Sequence, residues 1–393
     1  MKGKPLHGIR VLEVGAYISA PYAGSLLAAL GADVVKVEPP EGDAFRRNVG
    51  IDSHYYVQYN AGKKSIAVDL KSPEGLETVR ALLPRFDVLI ENMRPGKMDA
   101  LGLGAAACRA LHPGLVYASV SGFGSGGPLR DRPAYDSIGQ SYGGIYSVMN
   151  DPDRPRLTGT CIADLATGVS MAMGILAALV GRGGAPQHRG ALVETSLMEA
   201  ISLLTVDAMT QAFETGESPT RESRHPQAQN FCFNTASGGA ITMHLSSSEK
   251  FWAALARAVR REDLLEDPRF RRYADRMVPA HYHALAAILE QEFLKHPRAV
   301  WEERLTAADV PFAPVLGMLE LAAHPQVQWL ELLDRDPRGQ TLVRPPWRFD
   351  GHRPSRAEPT AQVGQHTRQV LREIRSEQEI DALLAGGKAF AAD

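Results

Sequence analysis

The sequence predicts an α/β protein built on a mostly parallel sheet, with a second, smaller α+β domain. Three observations lead there. Short β-branched runs alternate with helical stretches from the N-terminus onward, the rhythm of strand–crossover–strand units. A polar segment with Pro and Gly at residues 214–230 then reads as a linker. A length of 393 residues also exceeds the usual size of one domain.

The elements follow in order. IRVLEV (Ile9 to Val14) is the first strand, and PYAGSLLAALG the first helix, with Pro21 suited to its opening turn and Gly31 to its C-terminal cap. ADVVKVE returns as the second strand. In SPEGLETVRALL, Ser72 can cap a helix that Pro73 starts, and DVLIEN (Asp87 to Asn92) and GLVYASVSGFG supply further strands. Leu165 to Val180 carries no charge and is shorter than the roughly 20 apolar residues of a membrane span. It reads as a buried helix. GALVETSL and MEAISLLTVDAMTQAF continue the pattern. Past the linker, FCFNTASGGAITMHL reads as a hairpin turning at Gly238 and Gly239, and two helical stretches complete a small domain over 231–314. Ligands of such a sheet are expected beyond the carboxyl ends of its strands.

Composition narrows the function. With 43 basic and 45 acidic residues the net charge is −2, which leaves no electrostatic footprint for nucleic acid or an anionic membrane. Cys108, Cys161 and Cys232 have neither disulfide nor ligand spacing, which suits a reducing cytoplasm and argues against a metal site. The opening MKGKPLHGIRVLEV reads as the approach to a strand and not as a signal peptide.

Four stretches carry candidate chemistry. VGAYISAPYAG follows the first strand, and Glu38 ends the second where a ribose-binding acid often sits. Of three required glycines, however, only Gly15 is in place, which speaks against a nicotinamide or flavin. SGFGSGGP (Ser121 to Pro128) is either an anion-binding nest or a flexible turn. Lys63, Lys64 and Lys71 surround one strand and are either solvated or phosphate ligands. TGTCIADLATG puts a lone carboxylate, Asp164, at the mouth of the uncharged helix. It is either an N-cap or a nucleophile whose helix amides would stabilise an oxyanion and keep it ionised.

Taken in order, GIRVLEVG, GADVVKVEPPEGD, NAGKKSIAVDLKSPEG, ENMRPG, SVSGFGSGGPLRDRPAYDSIGQSYGG, IADLATG, DVPFAPV, HPQV and GQHTRQVL resemble the family III CoA-transferases nearly end to end. That group includes formyl-CoA:oxalate and carnitine CoA-transferases, with α-methylacyl-CoA racemase as a relative. The resemblance implies that Asp164 is the nucleophile, forming an acyl–aspartyl anhydride and then an aspartyl–CoA thioester. It implies acyl-CoA and a free carboxylic acid as substrates, with no permanently bound cofactor and no metal. Tyr17 and Ile18 match a backbone-contact turn, and Val68, Lys71, Asn92 and Met93 match positions that hold the nucleotide and pantetheine. Pro39, Ala100 and Pro133 depart from basic residues of the formyl enzyme, leaving Arg46, Arg94 or Lys64 to take over, and that enzyme's glycine-rich loop is missing. The implied fold is an interlocked homodimer. Each chain has a large Rossmann-like domain (1–213), the linker, the small domain, and a return segment (315–393) that completes the large one. Tyr135 stands where the racemase has its proton-transferring histidine, which favours transfer over racemisation; a CoA-binding protein without catalysis is the third reading.

Overall fold

The structure is a computed structural model and describes residues 4–49, 53–184 and 189–392. It divides into two compact units. One comprises Met1–Tyr146, Arg156–Asp207 and Pro325–Asp393, the other Ser147–Pro155 and Ala208–His324.

In the first unit β1 (Arg10–Val14), β2 (Asp33–Glu38), β3 (Lys64–Val68), β4 (Val88–Glu91), β5 (Val116–Ser121) and β6 (Leu192–Ser196) pair in parallel, in the order β3-β2-β1-β4-β5-β6. A seventh strand, β12 (Ala389–Phe390), adds antiparallel to β3 and brings the chain's end into the sheet. The crossover helices include α1 (Ser19–Ala29) and α3 (Pro73–Leu82), with α2 (His54–Asn60) between them. α4 (Asp136–Tyr142), α5 (Ile162–Gly184) and α6 (Leu197–Ser202) follow β5 or flank β6. Ser72 caps α3 through the Gly75 amide at 3.1 Å, as its spacing predicts.

Successive strand residues face opposite sides, and here both sides are covered, so the strands are apolar throughout. Val11, Val34, Val88 and Val116 meet α1 and α5, while Leu12, Val35, Leu89 and Tyr117 meet α3 and the C-terminal helices. Each such side chain contributes about 1.5–3 kcal/mol by burial. The strand order reverses between β1 and β4, and a crevice opens there beyond the carboxyl ends.

α5 departs from the expectation of a buried helix. It runs 23 residues, longer than the uncharged stretch suggested, and is long and apolar enough to cross a membrane by length and composition alone. It buries one face through Ala163, Thr167, Met171 and Ile175, and leaves Val169, Met173 (62% exposed) and Val180 (79%) outside. Gly168 lets α5 approach α1 closely: a Cβ there would lie 2.9 Å from the Ser19 carbonyl oxygen and 2.9 Å from the Tyr22 ring.

Beneath the end of β1 lies a buried chain of charges. Lys36 Nζ donates to Glu13 Oε1 (3.0 Å), contacts Asp43 (3.0 Å) and reaches the Gly15 carbonyl (2.5 Å). Lys63 Nζ donates to Glu13 Oε2 (2.6 Å) and to the Pro21 carbonyl (2.8 Å). Burial opposes both charges. Glu13, Asp43 and Glu38 together hold the Lys36 pKa above its usual value, whereas Lys63, with Glu13 as its main support and Lys36 opposing, is pulled down to about 8.

In the second unit β7 (Asn230–Asn234), β8 (Ala240–His244) and β9 (Phe312–Pro314) form an antiparallel sheet. The β7–β8 hairpin turns at Gly238 and Gly239, both at positive φ. α7 (Glu249–Ala258), α8 (Pro279–Phe293) and α9 (Arg298–Ala307) pack on it around Trp252, Leu255, Phe293 and Trp301. Back in the first unit, β10 (Leu333–Arg335) and β11 (Thr341–Val343) make a short hairpin before the tail.

Replacing Lys36 by Met leaves Asp43 a buried carboxylate without its cation and Glu13 with Lys63 alone. Removing one partner of a buried pair costs about 3–5 kcal/mol, so the urea midpoint of Lys36→Met should fall by that equivalent. A midpoint within error of wild type would show that the network is not stabilising.

Candidate active site

The crevice at the β1/β4 reversal is lined by Tyr17 and Ser19 beyond β1, Asn92 to Pro95 beyond β4, and Val120 to Gly122 at the end of β5. Arg132 to Tyr135, Asp164 and Leu197 complete it, enclosing about 200 Å³. That volume takes the reacting end of a ligand and not a whole dinucleotide-sized molecule. A larger cavity of about 420 Å³ opens at the amino ends of the strands, among Asp33, Lys64, Arg356 and His366. It lies away from Asp164, so size alone does not locate the chemistry.

One asparagine shapes the crevice. Asn92 Nδ2 donates to the Ala16 carbonyl (2.8 Å), and its Oδ1 accepts the Ala16 N–H (3.0 Å). With Lys36 on the Gly15 carbonyl, this clamp holds Tyr17 at φ 64°, a left-handed conformation uncommon for a large side chain. The Tyr17 ring then meets Tyr135 edge-on, with centroids 6.0 Å apart.

Asp164 is the third residue of α5, and the first-turn amides do not depend on it. Ile162 N–H goes to the Thr160 carbonyl (3.0 Å). Asp136 Oδ1 accepts the N–H groups of Ala163 (2.9 Å) and Asp164 (3.3 Å). Asp136 therefore caps the helix from α4, and the cap reading of Asp164 fails. The expected oxyanion role for these amides fails with it, because they are already bonded. Among the described residues no hydrogen bond ends on the Asp164 carboxylate. Burial, then the nearby Asp136 charge, raises its pKa to about 7, so the helix end does not keep it strongly ionised. Cys161 stands beside both acids, with ligand-capable atoms of all three within 4.8 Å of one another, and burial and the two carboxylates push its thiol pKa up.

The predicted residues scatter. Asp164, Tyr17, Asn92, Met93 and Arg94 share the crevice, although the Asn92 amide is committed to Ala16. Ile18, half-buried, caps α1 in helical conformation. Lys71 is exposed in the turn beyond β3. Val68 is 1% exposed and its side chain belongs to the core. Lys64 is not brought to the crevice. It starts β3 at the opposite sheet edge and pairs with Asp33 at 2.8 Å. Arg46 is buried on Glu38 (2.7 Å) and over the Tyr56 ring, which removes both Arg46 and Glu38 as ligand contacts. SGFGSGGP forms a turn in which the Gly124 N–H reaches Ser121 Oγ (2.8 Å). Sequence reasoning missed Asp136, Arg132 and Ser19; only the helical spacing of Asp136 and Gln140 hinted at the first.

Comparison with known proteins now adds to the geometry. The profile of CoA-transferase family III matches residues 6–367. The chain belongs to that family. Its relatives include the acetyl-CoA:oxalate CoA-transferase of Acetobacter aceti, 36% identical and covering 82% of this chain and 83% of that one. The succinate–glutarate CoA-transferase of Agrobacterium fabrum is 33% identical, with 95% and 96% covered. Among solved structures, a CAIB/BAIF family protein from Brucella suis superposes with a TM-score of 0.84 at 30% identity, over 95% of this chain and all of that one. The protein is thus a family III CoA-transferase enzyme with the family's mixed α/β fold.

In this transferase the raised Asp164 pKa has a sign for stability. The folded pKa of about 7 exceeds the free value of 3.8, so ionisation costs folding free energy. The cost is absent below pH 4, grows between pH 4 and 7, and is complete above. Asp164→Asn should therefore stabilise the fold at pH 8 by about 1–3 kcal/mol, discounted for the side open to the crevice. At pH 4 it should not. Thermal melts at both pH values check this, and equal effects at both would exclude a raised pKa.

Proposed function

We propose that the enzyme moves CoA from an acyl-CoA thioester to a free carboxylic acid through covalent intermediates on Asp164. The observation that carries this reading is an acid in the crevice whose helix is capped by another residue, leaving its carboxylate free to react. An Asp164 oxygen attacks the thioester carbonyl, the C–S bond breaks, and CoA leaves as thiolate with an acyl–aspartyl anhydride behind. The thiolate attacks the aspartyl carbonyl and releases the first acid as its carboxylate. The acceptor carboxylate then attacks the aspartyl–CoA thioester, expelling the thiolate. The thiolate takes the acceptor acyl group and restores Asp164. Protons and electrons balance throughout, so no permanently bound cofactor is required.

Several features support the details. Tyr17, Ile18, Met93 and Arg94 border the crevice or its entrance and would hold the pantetheine arm, with Lys71 further along the same sheet edge for the nucleotide. Arg94 and Arg132 line the crevice beside Asp164 and suit an anionic acyl group. The acids named for the two relatives, oxalate, succinate and glutarate, each carry two carboxylates. A short dicarboxylic acid is accordingly the proposed acceptor class. Racemisation is disfavoured because no histidine lines the crevice among the described residues, and Tyr135 occupies that place. Passive CoA binding would leave the free, crevice-facing carboxylate without a use. The exposed apolar side chains of α5, with Leu203, Leu204 and Val206, support a homodimer, interlocked as in the family resemblance. Three unpaired cysteines suit the cytoplasm.

The test is covalent trapping. After incubation with acetyl-CoA, succinyl-CoA and related donors, hydroxylamine should modify Asp164 alone. Asp164→Ala and Asp164→Asn should lose CoA exchange by at least ~10³-fold, as expected for a nucleophile. Near-wild-type exchange in either variant, or rapid solvent deuterium uptake into a 2-methylacyl-CoA without a trapped adduct, would overturn the reading. Sedimentation should show a dimer that persists on dilution to submicromolar concentration, and a folded monomer there would remove the interlocked arrangement.

A further inference from the structure

We infer that Asp136 is a positioning residue for the transfer reaction, taking over the capping of α5 so that the Asp164 carboxylate stays free and correctly placed. The inference rests on Asp164 being the nucleophile.

The geometry leaves little latitude. Asp136 opens α4, and the two residues of its turn divide the work: Tyr135 lines the crevice while Asp136 points at α5. Both carboxylate oxygens are committed. Oδ1 takes the Ala163 and Asp164 amides, and Oδ2 accepts Gln140 Nε2 at 2.6 Å. Gln140 is fully buried, and its Oε1 accepts Thr158 Oγ1 at 2.7 Å, so its orientation is fixed in turn. A helix with bare second and third amides would offer them to the nearest acid. At the third position that acid is Asp164, whose side chain can turn back toward the start of the helix, as an acid at that position does in a capping box. Asp136 removes that competition. Its charge also sits against the Asp164 carboxylate and disfavours ionisation there. A more basic carboxylate is the better nucleophile once ionised.

Other titratable groups face Asp164 as well. They are Cys161 before α5, Tyr59 of α2, and Tyr17, Tyr135, Arg94 and Arg132 around the crevice. Glu199 of the adjoining α6 is turned onto Ser196 (2.6 Å). Of these neighbours Asp136 alone both contacts the Asp164 backbone and opposes its charge.

Two variants test the inference. Asp136→Asn keeps a carbonyl acceptor for the amides but loses the charge, so the acid limb of kcat against pH should move down by roughly one pH unit. Asp136→Ala removes the cap, and kcat should drop roughly 100-fold with KM for acyl-CoA little changed, the signature of a displaced reacting group. A merely structural cap would leave the pH limb in place. An unmoved limb in Asp136→Asn overturns the inference, as does wild-type kcat in Asp136→Ala; should the alanine variant not fold, the asparagine variant decides. Hydroxylamine trapping in wild type separates the two readings. Labelling elsewhere than Asp164 sinks the nucleophile assignment, whereas Asp164 labelled at the wild-type rate in both Asp136 variants sinks only the positioning role.

Discussion

The peptide groups of Gly15 and Ala16 are gripped from two sides, and the crevice depends on that grip. Lys36 reaches the Gly15 carbonyl from below, and Asn92 takes both the N–H and the carbonyl of Ala16 from the neighbouring strand end. Asn92 thus ties β1 to β4 at the one place where the sheet's winding reverses and its strand ends part. Without this tie nothing in the local sequence would keep Tyr17 left-handed, since a tyrosine gains nothing from that conformation by itself. The strain is confined to a residue on the crevice wall and is held by buried groups that cannot easily move.

The second organising feature is a division of labour between two aspartates. Placed side by side, two carboxylates repel, and one buried near the other binds its proton more tightly. Here one is saturated with donors and the other has none. The saturated one has both oxygens engaged by N–H donors, and the bare one carries the raised pKa. Hydrogen bonding, and not residue type, thereby sets the two aspartates apart.

Much of the fold was legible because its signals are local. Strand alternation, the Ser72–Pro73 helix start and the Gly238–Gly239 hairpin are all decided within a few residues. The site was legible only in part. Asp164 could not be resolved as cap or nucleophile because its substitute cap lies 28 positions earlier, a separation no local pattern reports. Lys63 and Lys64 are adjacent and chemically identical, yet one enters a buried network and the other a half-buried pair, as the two sides of a strand start require. Arg46 read as a free cation because Glu38, eight residues away, gives no sign in the sequence that it is buried. The resemblance singled out Asp164 but not what each of its neighbours does.

The last strand gives the sheet a history as well as a shape. β3 is an edge until β12 covers it, and about 320 residues separate the two pairing segments. At ribosomal speeds of roughly 5–20 residues per second, the nascent chain carries that open edge for some tens of seconds. Thr367 Oγ1 accepts the Ala67 N–H (3.0 Å) and donates to the Phe390 carbonyl (2.6 Å), so a single hydroxyl fastens the closing piece. An uncovered row of strand amides is a template for pairing with other chains. By pairing along β3, β12 takes that row of amides out of reach of other chains.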